Sequence, residues 1–191
     1  VKRIGHVLGL VLAIPYLIGY VLVRAALGQH HAITLCSEAA ARLPGILGVY
    51  ARQAFYRRVL GGVGRDVYFG FMSVFSKPGT RIGDRVYIGR FCSIGLAVLE
   101  DEVMLADGVQ VLSGRHHHGR LGDVADGGSC GAWRDRPQVF SQVTIGRGAW
   151  IGAGAIVMAD VGAGAVVGAG AVVVKPVSAG AKVGGVPAEV L

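Results

Sequence analysis

From Val143 to Lys175 the chain repeats a unit of six residues, too short for a pair of packed helices or a hairpin. Ile145, Ile151 and Val157 are six apart, and after a two-residue slip so are Val161, Val167 and Val173; Gly follows Ile145, Ile151, Val161 and Val167. Fixed-period self-similarity marks a solenoid, and a period of six is that of a parallel β-helix. One side chain in six points inward, and glycine or alanine fills corners where φ is unusual or space is short. The unit appears upstream as well. Ile82, Ile88 and Ile94 keep the spacing, with Val86 and Cys92 as smaller inward partners, and Leu105 and Val111 resume it after a one-residue slip. Residues 112–142 obey no period, so they are expected to leave the coil as a loop, and such loops commonly lie on the binding face.

The 191 residues suffice for one domain with a core, plus an appendage. Thirty-two glycines without a Gly-X-Y period, and with only six prolines, belong to coil corners and not to collagen or disorder. Gly64 to Thr80, with strand-like VYFGFMSVF before Pro78-Gly79, reads as a first irregular rung. Pro176 and Pro187 lack the amide proton a ladder uses, so the coil is expected to stop near Pro176. Cys36, Cys92 and Cys130 form no paired framework, which favours a reducing compartment. Cys92 falls on an inward position and reads as core.

The net charge of +7 is uneven: residues 1–60 hold seven basic side chains against Glu38, and the remaining 131 residues are nearly balanced at +1. Val7 to Val23 is an uncharged, apolar run with Lys2 and Arg3 before it and Arg24 after it. Its length is at the lower edge of what spans a bilayer, and Pro15 at its middle is expected to kink or break a helix. A re-entrant or interfacial membrane segment is the preferred reading; a short spanning helix, a buried contact helix and a signal peptide are the alternatives. Gln29 to Glu38 is polar, with Ser37 as a cap. Pro44 to Leu60 reads as a helix with Ile46, Leu47, Tyr50, Phe55 and Val59 on an apolar side and Arg52, Arg57 and Arg58 supplying charge. Such a helix suits an anionic membrane surface, or a cap on the open end of the solenoid. The division expected is 1–62 as a helical, membrane-associated segment and 63–191 as the β-helix. The basic residues do not form a face interleaved with aromatics, which argues against nucleic acid.

Ser113 to Gly119 reads SGRHHHG and holds three of the six histidines, His116, His117 and His118. Side chains alternate along an extended segment, so at most two face one site, which disfavours zinc held by all three; no metal is predicted. One general base is the functional reading, since the unperturbed imidazole pKa allows proton abstraction near neutrality.

The coils, the loop with RHHHG, the VTIGRGAWIGAGAIV segment, the GAGAVVVK close and the terminal GVPAEVL together resemble the left-handed β-helix acyltransferases, and within them the sugar O-acetyltransferases, over about residues 64–191. The resemblance implies a mainly β, left-handed parallel β-helix, assembled as a homotrimer. It also implies acetyl-CoA in the groove between adjacent solenoids and a saccharide hydroxyl meeting a loop histidine. The family motif, usually Asp-His-x-His-Gly, aligns with Arg115 to Gly119, which makes His116 the base and His118 its rival. Arg115 replaces the usual acid, so the imidazole needs another orienting group, such as Asp123, Asp126 or a backbone carbonyl. Trp150, Gly152 and Ala153 match the segment beside the pantetheine arm; Ala169, Val174 and Lys175 match the stretch near its far end. Lys182 or Arg147 replaces the basic residue usual at Glu189. Ser93 matches an acceptor contact.

These readings make an O-acetyltransferase acting on a lipid-linked or polysaccharide precursor at the cytoplasmic face of the inner membrane, or in the cytoplasm. The chemistry would be direct transfer: the base takes the hydroxyl proton, the oxygen attacks the thioester, and backbone N–H groups hold the oxyanion. The alternatives are an N-acetyltransferase on an amino sugar or other small acceptor, a zinc enzyme like the carbonic anhydrases on a similar coil, and a noncatalytic scaffold. The zinc reading needs histidines from separate rungs, whereas this chain has none between Ala32 and Arg115 or after Gly119.

Overall fold

The computed structural model describes residues 2–113 and 140–191. Three helices come first, α1 (Lys2–Leu27), α2 (Gln29–Ala41) and α3 (Gly45–Val59). A parallel β-solenoid follows. Its first coil is β1 (Gly62–Val63), β2 (Tyr68–Phe69) and β3 (Val74–Phe75), and its second is β4 (Arg81–Ile82), β5 (Tyr87–Ile88) and β6 (Ser93–Ile94). The third is β7 (Ala97–Leu99), β8 (Met104–Leu105) and β9 (Gln110–Val111); the fourth is β10 (Val143–Ile145), β11 (Trp150–Ile151) and β12 (Ile156–Val157). The fifth carries β13 (Val166–Val167) and β14 (Val172–Val173), and a sixth begins with β15 (Lys182–Gly184) and is turned back by β16 (Glu189–Val190).

Each coil lays one segment on each of three faces. The first face is β1-β4-β7-β10, extended by bridges from Ile145 to Val161 to Val177; the second runs β2-β5-β8-β11-β13-β15-β16; the third is β3-β6-β9-β12-β14. All pairings between the described strands are parallel except β15 with β16. Register is strict, because identical rungs put like side chains on top of one another: Phe69, Ile88, Leu105, Ile151 and Val167 form one buried column, and Phe75, Ile94, Val111, Val157 and Val173 another. Val86 and Cys92 are buried beside these columns, as their spacing predicts.

Both slips in the repeat fall at the corner from the third face to the first. Ile94 to Leu99 and Val157 to Val161 shorten that turn, and the 112–142 excursion leaves from the same corner. Hydroxyls replace ladder bonds there. Thr80 Oγ1 donates to Gly95 O at 2.7 Å, and Leu96 N–H donates to Ser113 Oγ at 2.8 Å.

The upper coils turn the other corners on glycines with positive φ, such as Gly154 and Gly170, as expected. The lower coils place Asp66, Met72, Arg85, Phe91 and Glu102 in the same left-handed conformation. That conformation costs about 1 kcal/mol for an ordinary residue. Side-chain contacts offset it, including Arg85 paired with Glu102 at 2.7 Å and Phe91 edge-on to Phe71. At the outer corners Asp84 and Asp107 are held below the usual carboxylate range, Asp84 first by the Arg65 backbone N–H and Asp107 first by the Arg90 guanidinium.

The open lower end of the first coil is where the helices attach. A coil with no rung beneath it exposes backbone groups that need partners. Here Phe69 O accepts from Arg52 Nε at 3.1 Å, Val67 O from Gln53 Nε2 at 2.6 Å, Ser73 O from Tyr56 Oη at 3.0 Å and Gly64 O from Arg57 at 3.3 Å. Phe75 N–H donates to Ser37 Oγ at 2.8 Å and Met72 N–H to Ala41 O at 3.0 Å. α2 and α3 therefore stand in for the missing rung, sealed by an aromatic cluster of Phe55, Tyr56, Phe69 and Phe75.

Four expectations are corrected. α1 runs unbroken through Pro15, which lies on an exposed side of the helix. Ser37 is not a cap: α2 extends to Ala41, and the Ser37 hydroxyl is buried between Tyr56 Oη and Phe75 N–H. Arg52 is not a surface charge but is 1% exposed. The coil also continues past Pro176, because Val177 N–H takes up the ladder to Asp160 O at 2.9 Å and the proline sits at a corner.

α1 lies along α3 through glycines. A Cβ on Gly9 would sit 2.5 Å from Tyr50 Cβ and 2.6 Å from its carbonyl carbon, whereas one on Gly19 would meet only Cys36 Sγ at 4.0 Å. The two substitutions to alanine are expected to differ in sign. Gly9→Ala should lower stability in urea unfolding by about 1–3 kcal/mol through overpacking. Gly19→Ala should be neutral or gain up to about 1 kcal/mol of helix propensity.

Candidate functional site

The second face carries an outward column in direct register: Tyr68, Tyr87, Met104, Trp150, Val166 and Lys182. Alternation along each strand puts the neighbours Phe69, Ile88, Leu105, Ile151, Val167 and Val183 inside and this column outside. Tyr68 and Tyr87 stack with centroids 4.9 Å apart and planes 6° from parallel. Trp150 is 51% exposed, and Tyr87 and Met104 are exposed beside it. Such a stripe of large apolar side chains on a flat face is what a ligand or a second copy covers.

The stripe runs alongside the corner between the second and third faces, where three of the residues singled out from sequence lie. Gly152, Ala153 and Ala169 lie on adjacent coils there, with Gly170 N–H donating to Ala153 O at 2.8 Å. A Cβ on Gly152 would fall 2.5 Å from Ala169 N, so only glycine allows the coils to close up at this point. Val174 and Lys175 are not at this corner. They follow β14, at the other edge of the third face, with Lys175 exposed.

That other edge is the root of the excursion loop. Ser141 N–H donates to Ser113 O at 3.1 Å and closes the stem, and Leu112, Met158 and Val174 occupy equivalent places on successive coils. Lys77 Nζ sits 3.3 Å from the centroid of the Phe140 ring at the returning end. Burial pushes the Lys77 ammonium down, and the imidazole of His30 is lowered by burial and then by Lys77. Ser93 is exposed on the third face, in register between Val74 and Gln110. His116, His118 and Asp123 lie outside the described residues, as do Arg115, His117 and Asp126.

Cys92 is a poor nucleophile. It is fully buried, burial pushes its thiol up, and Sγ lies 3.2 Å from Ala106 O. A 470 Å³ cleft on the first face is lined by Arg81, Val98, Glu100, Asp101 and Arg147 among others, and of the described candidate site residues it touches Arg147 alone. Arg147 is engaged there, pairing with Asp101 at 3.0 Å and giving its backbone N–H to Glu100. Lys182, by contrast, ends the second-face column and is exposed.

Residues 142–175 match the family model described as the hexapeptide repeat of succinyl-transferase. The structure superposes on a maltose O-acetyltransferase from Clostridium difficile 630 with a TM-score of 0.69, at 21% identity over 83% of this chain and 84% of that one. The fold is that of the hexapeptide-repeat acetyltransferases. A hexapeptide-repeat acetyltransferase from Vibrio cholerae, complexed with acetyl coenzyme A, gives 0.65 at 21% identity over 88% of this chain and 87% of that one. A galactoside acetyltransferase in complex with coenzyme A gives 0.64 at 20% identity over 83% and 78%. No curated protein matches the chain by sequence.

Proposed function

We propose that the chain is an acetyl-CoA-dependent O-acetyltransferase. It works as a homotrimer on a saccharide hydroxyl of a lipid-linked or polysaccharide precursor, at the cytoplasmic face of a membrane reached through residues 1–60. The observation that carries the reading is the exposed Trp150 stripe beside the glycine corner. It lies on a fold shared with acetyltransferases whose structures hold acetyl coenzyme A or coenzyme A.

The parts fit the donor. Trp150 offers an apolar wall to the pantetheine arm, Gly152 and Ala169 keep the corner shallow, and Lys182 or Lys175 supplies charge for phosphate. A second solenoid packed on the Tyr87, Met104 and Trp150 stripe would make the groove's other wall, which is why a trimer belongs to the reading. His116 takes the acceptor proton, with His118 as the alternative, and Ser93 and Asp123 are assigned to the acceptor. Holding both substrates in the groove supplies much of the rate by orientation.

The test is release of CoA thiol by the purified full chain with acetyl-CoA and either lipid-linked or free saccharides, together with a thermal shift by CoA. Release with saccharide supports the reading. No release with any acceptor and no shift sinks it. Trp150→Ala should weaken CoA binding by about tenfold, a loss of about 1.4 kcal/mol, with little change in the melting temperature because the side chain is half exposed.

A further inference from the structure

α1 has two opposite faces of different character. Gly5, Gly9, Ala13 and Tyr20 are buried, Gly5 and Gly9 against Tyr50 and Tyr20 edge-on to Phe55. On the other side Ile4, Val7, Val11, Ile14, Ile18 and Val21 follow a three-to-four residue spacing and are each 45–66% exposed. Within Ile4–Leu27 the most apolar 18-residue stretch has a mean hydropathy of 2.1, and no charged residue lies between Ile4 and Val23. An apolar stripe along a helix of 26 residues, about 39 Å at 1.5 Å per residue, exceeds what a soluble surface carries without a partner.

The charges nearby indicate the partner. Arg24, Arg42, Arg57 and Arg58 are exposed, and among the described residues none of them joins an ion pair. The four ion pairs among the described residues all lie in the solenoid. An apolar face that ends at the exposed Arg24, in a segment with seven basic side chains against one acidic, complements an anionic lipid surface, whereas two copies of the same face would bring like charges together.

We infer that α1 lies flat in the lipid interface of an anionic bilayer, its Ile4, Val7, Val11, Ile14, Ile18 and Val21 stripe turned to the acyl chains, and does not span. This rests on the membrane part of the proposed function and is independent of the acetyl-transfer part. A spanning helix is surrounded by lipid, but α1 is packed along α2 and α3, and these seal the first coil. Carrying α1 across would draw Gln29, His30, Thr34, Glu38, Gln53 and the lower rung into hydrocarbon, where each polar group costs several kcal/mol. Lying flat keeps them on the water side, and the solenoid stands on the bilayer by its helical end.

The experiment places nitroxide labels one at a time through Val7→Cys, Val11→Cys, Ile18→Cys and Val21→Cys in the full chain. Cys130 is replaced by serine, and the buried Cys36 and Cys92 are left in place. The protein is bound to vesicles of mixed anionic and zwitterionic phospholipid, and label depth is read from oxygen and nickel accessibility. The expected result is one shallow depth at all four positions, with binding that falls as salt rises. Arg24→Gln should weaken partitioning by about fivefold, the equivalent of about 1 kcal/mol. A depth that changes along the helix by about 20 Å, the rise from Val7 to Val21, overturns flat docking in favour of spanning. Labels that stay water-accessible, or that report a second label nearby without lipid, overturn the membrane partner. Either failure leaves the CoA-release assay to judge the transferase reading separately.

Discussion

His116→Ala is expected to lower kcat for acetyl transfer by about a hundred- to ten-thousand-fold, the range a positioned general base supplies. CoA binding should stay within about threefold, since affinity for the donor is assigned to the second-face stripe and glycine corner. The size of the effect is that of the proposed direct transfer, since neither cysteine among the described residues offers a covalent route. A covalent route needs an exposed, ionisable thiol, and Cys92 in the coils is buried with its thiol pushed up. In the proposed direct transfer the acceptor hydroxyl loses its proton as its oxygen attacks the thioester. The loop that carries His116 is rooted on the coil by the Ser113–Ser141 bond and the buried Ser113 hydroxyl, at the edge that also bears Lys175. The pH profile gives the sign. With a neutral imidazole as the proposed base, kcat/KM should rise from acid pH toward neutrality and then level, and His116→Ala should lose that rise. Loss with His118→Ala alone moves the role to His118; full activity in both variants removes a histidine base from the mechanism.

What could be read from sequence was what repeats. Ile82, Ile88 and Ile94 announce three inward positions because each rung makes the same demand of its residues, and the slips before Leu105 and Val161 mark one corner because only a corner can change length without breaking register. Gly152 was legible for the same reason, since its neighbour on the next coil leaves no room for a Cβ. What happens once was not legible. Ser37 in a polar stretch looks like a cap, and nothing local says that it meets Tyr56 and Phe75 from distant parts of the chain. Pro15 and Pro176 read as breaks by local rule, yet one lies on an exposed helix face and the other at a corner whose ladder bond is made by the next residue. The Trp150 stripe was legible one residue at a time; its continuity from Tyr68 to Lys182 needed the register. Arg52 illustrates the limit, for beside Arg57 and Arg58 it looks like one more surface charge, and only the open end of the first coil explains it.

Arg52→Met is accordingly expected to cost about 3–5 kcal/mol, lowering the urea midpoint well beyond the effect of neutralising Arg58 on the surface. Arg52 donates to Phe69 O through Nε and to Leu43 O and Ala41 O through a terminal nitrogen, and burial lowers the guanidinium from its ordinary value. Its partners are all backbone carbonyls. Replacing a buried ion pair by apolar groups is often harmless because both charges leave, but here the acceptors stay when the donor goes. Ala41 O keeps the Met72 N–H, whereas Phe69 O and Leu43 O lose the bonds that Arg52 gives them, at about 1–3 kcal/mol each. Methionine roughly fills the space, so the loss reports hydrogen bonding more than a cavity. Arg52→Lys restores one donor and should recover part of the stability, which a purely steric role would not. Tyr56→Phe probes the same seal more gently. It removes the donation to Ser73 O and the contact with Ser37 while leaving the ring among Phe55, Phe69 and Phe75, so its cost should be smaller, about 1–3 kcal/mol. If Arg52→Met unfolds no more readily than the parent chain, the helices do not act as the first rung's partner. The attachment of the N-terminal segment would then rest on apolar packing alone.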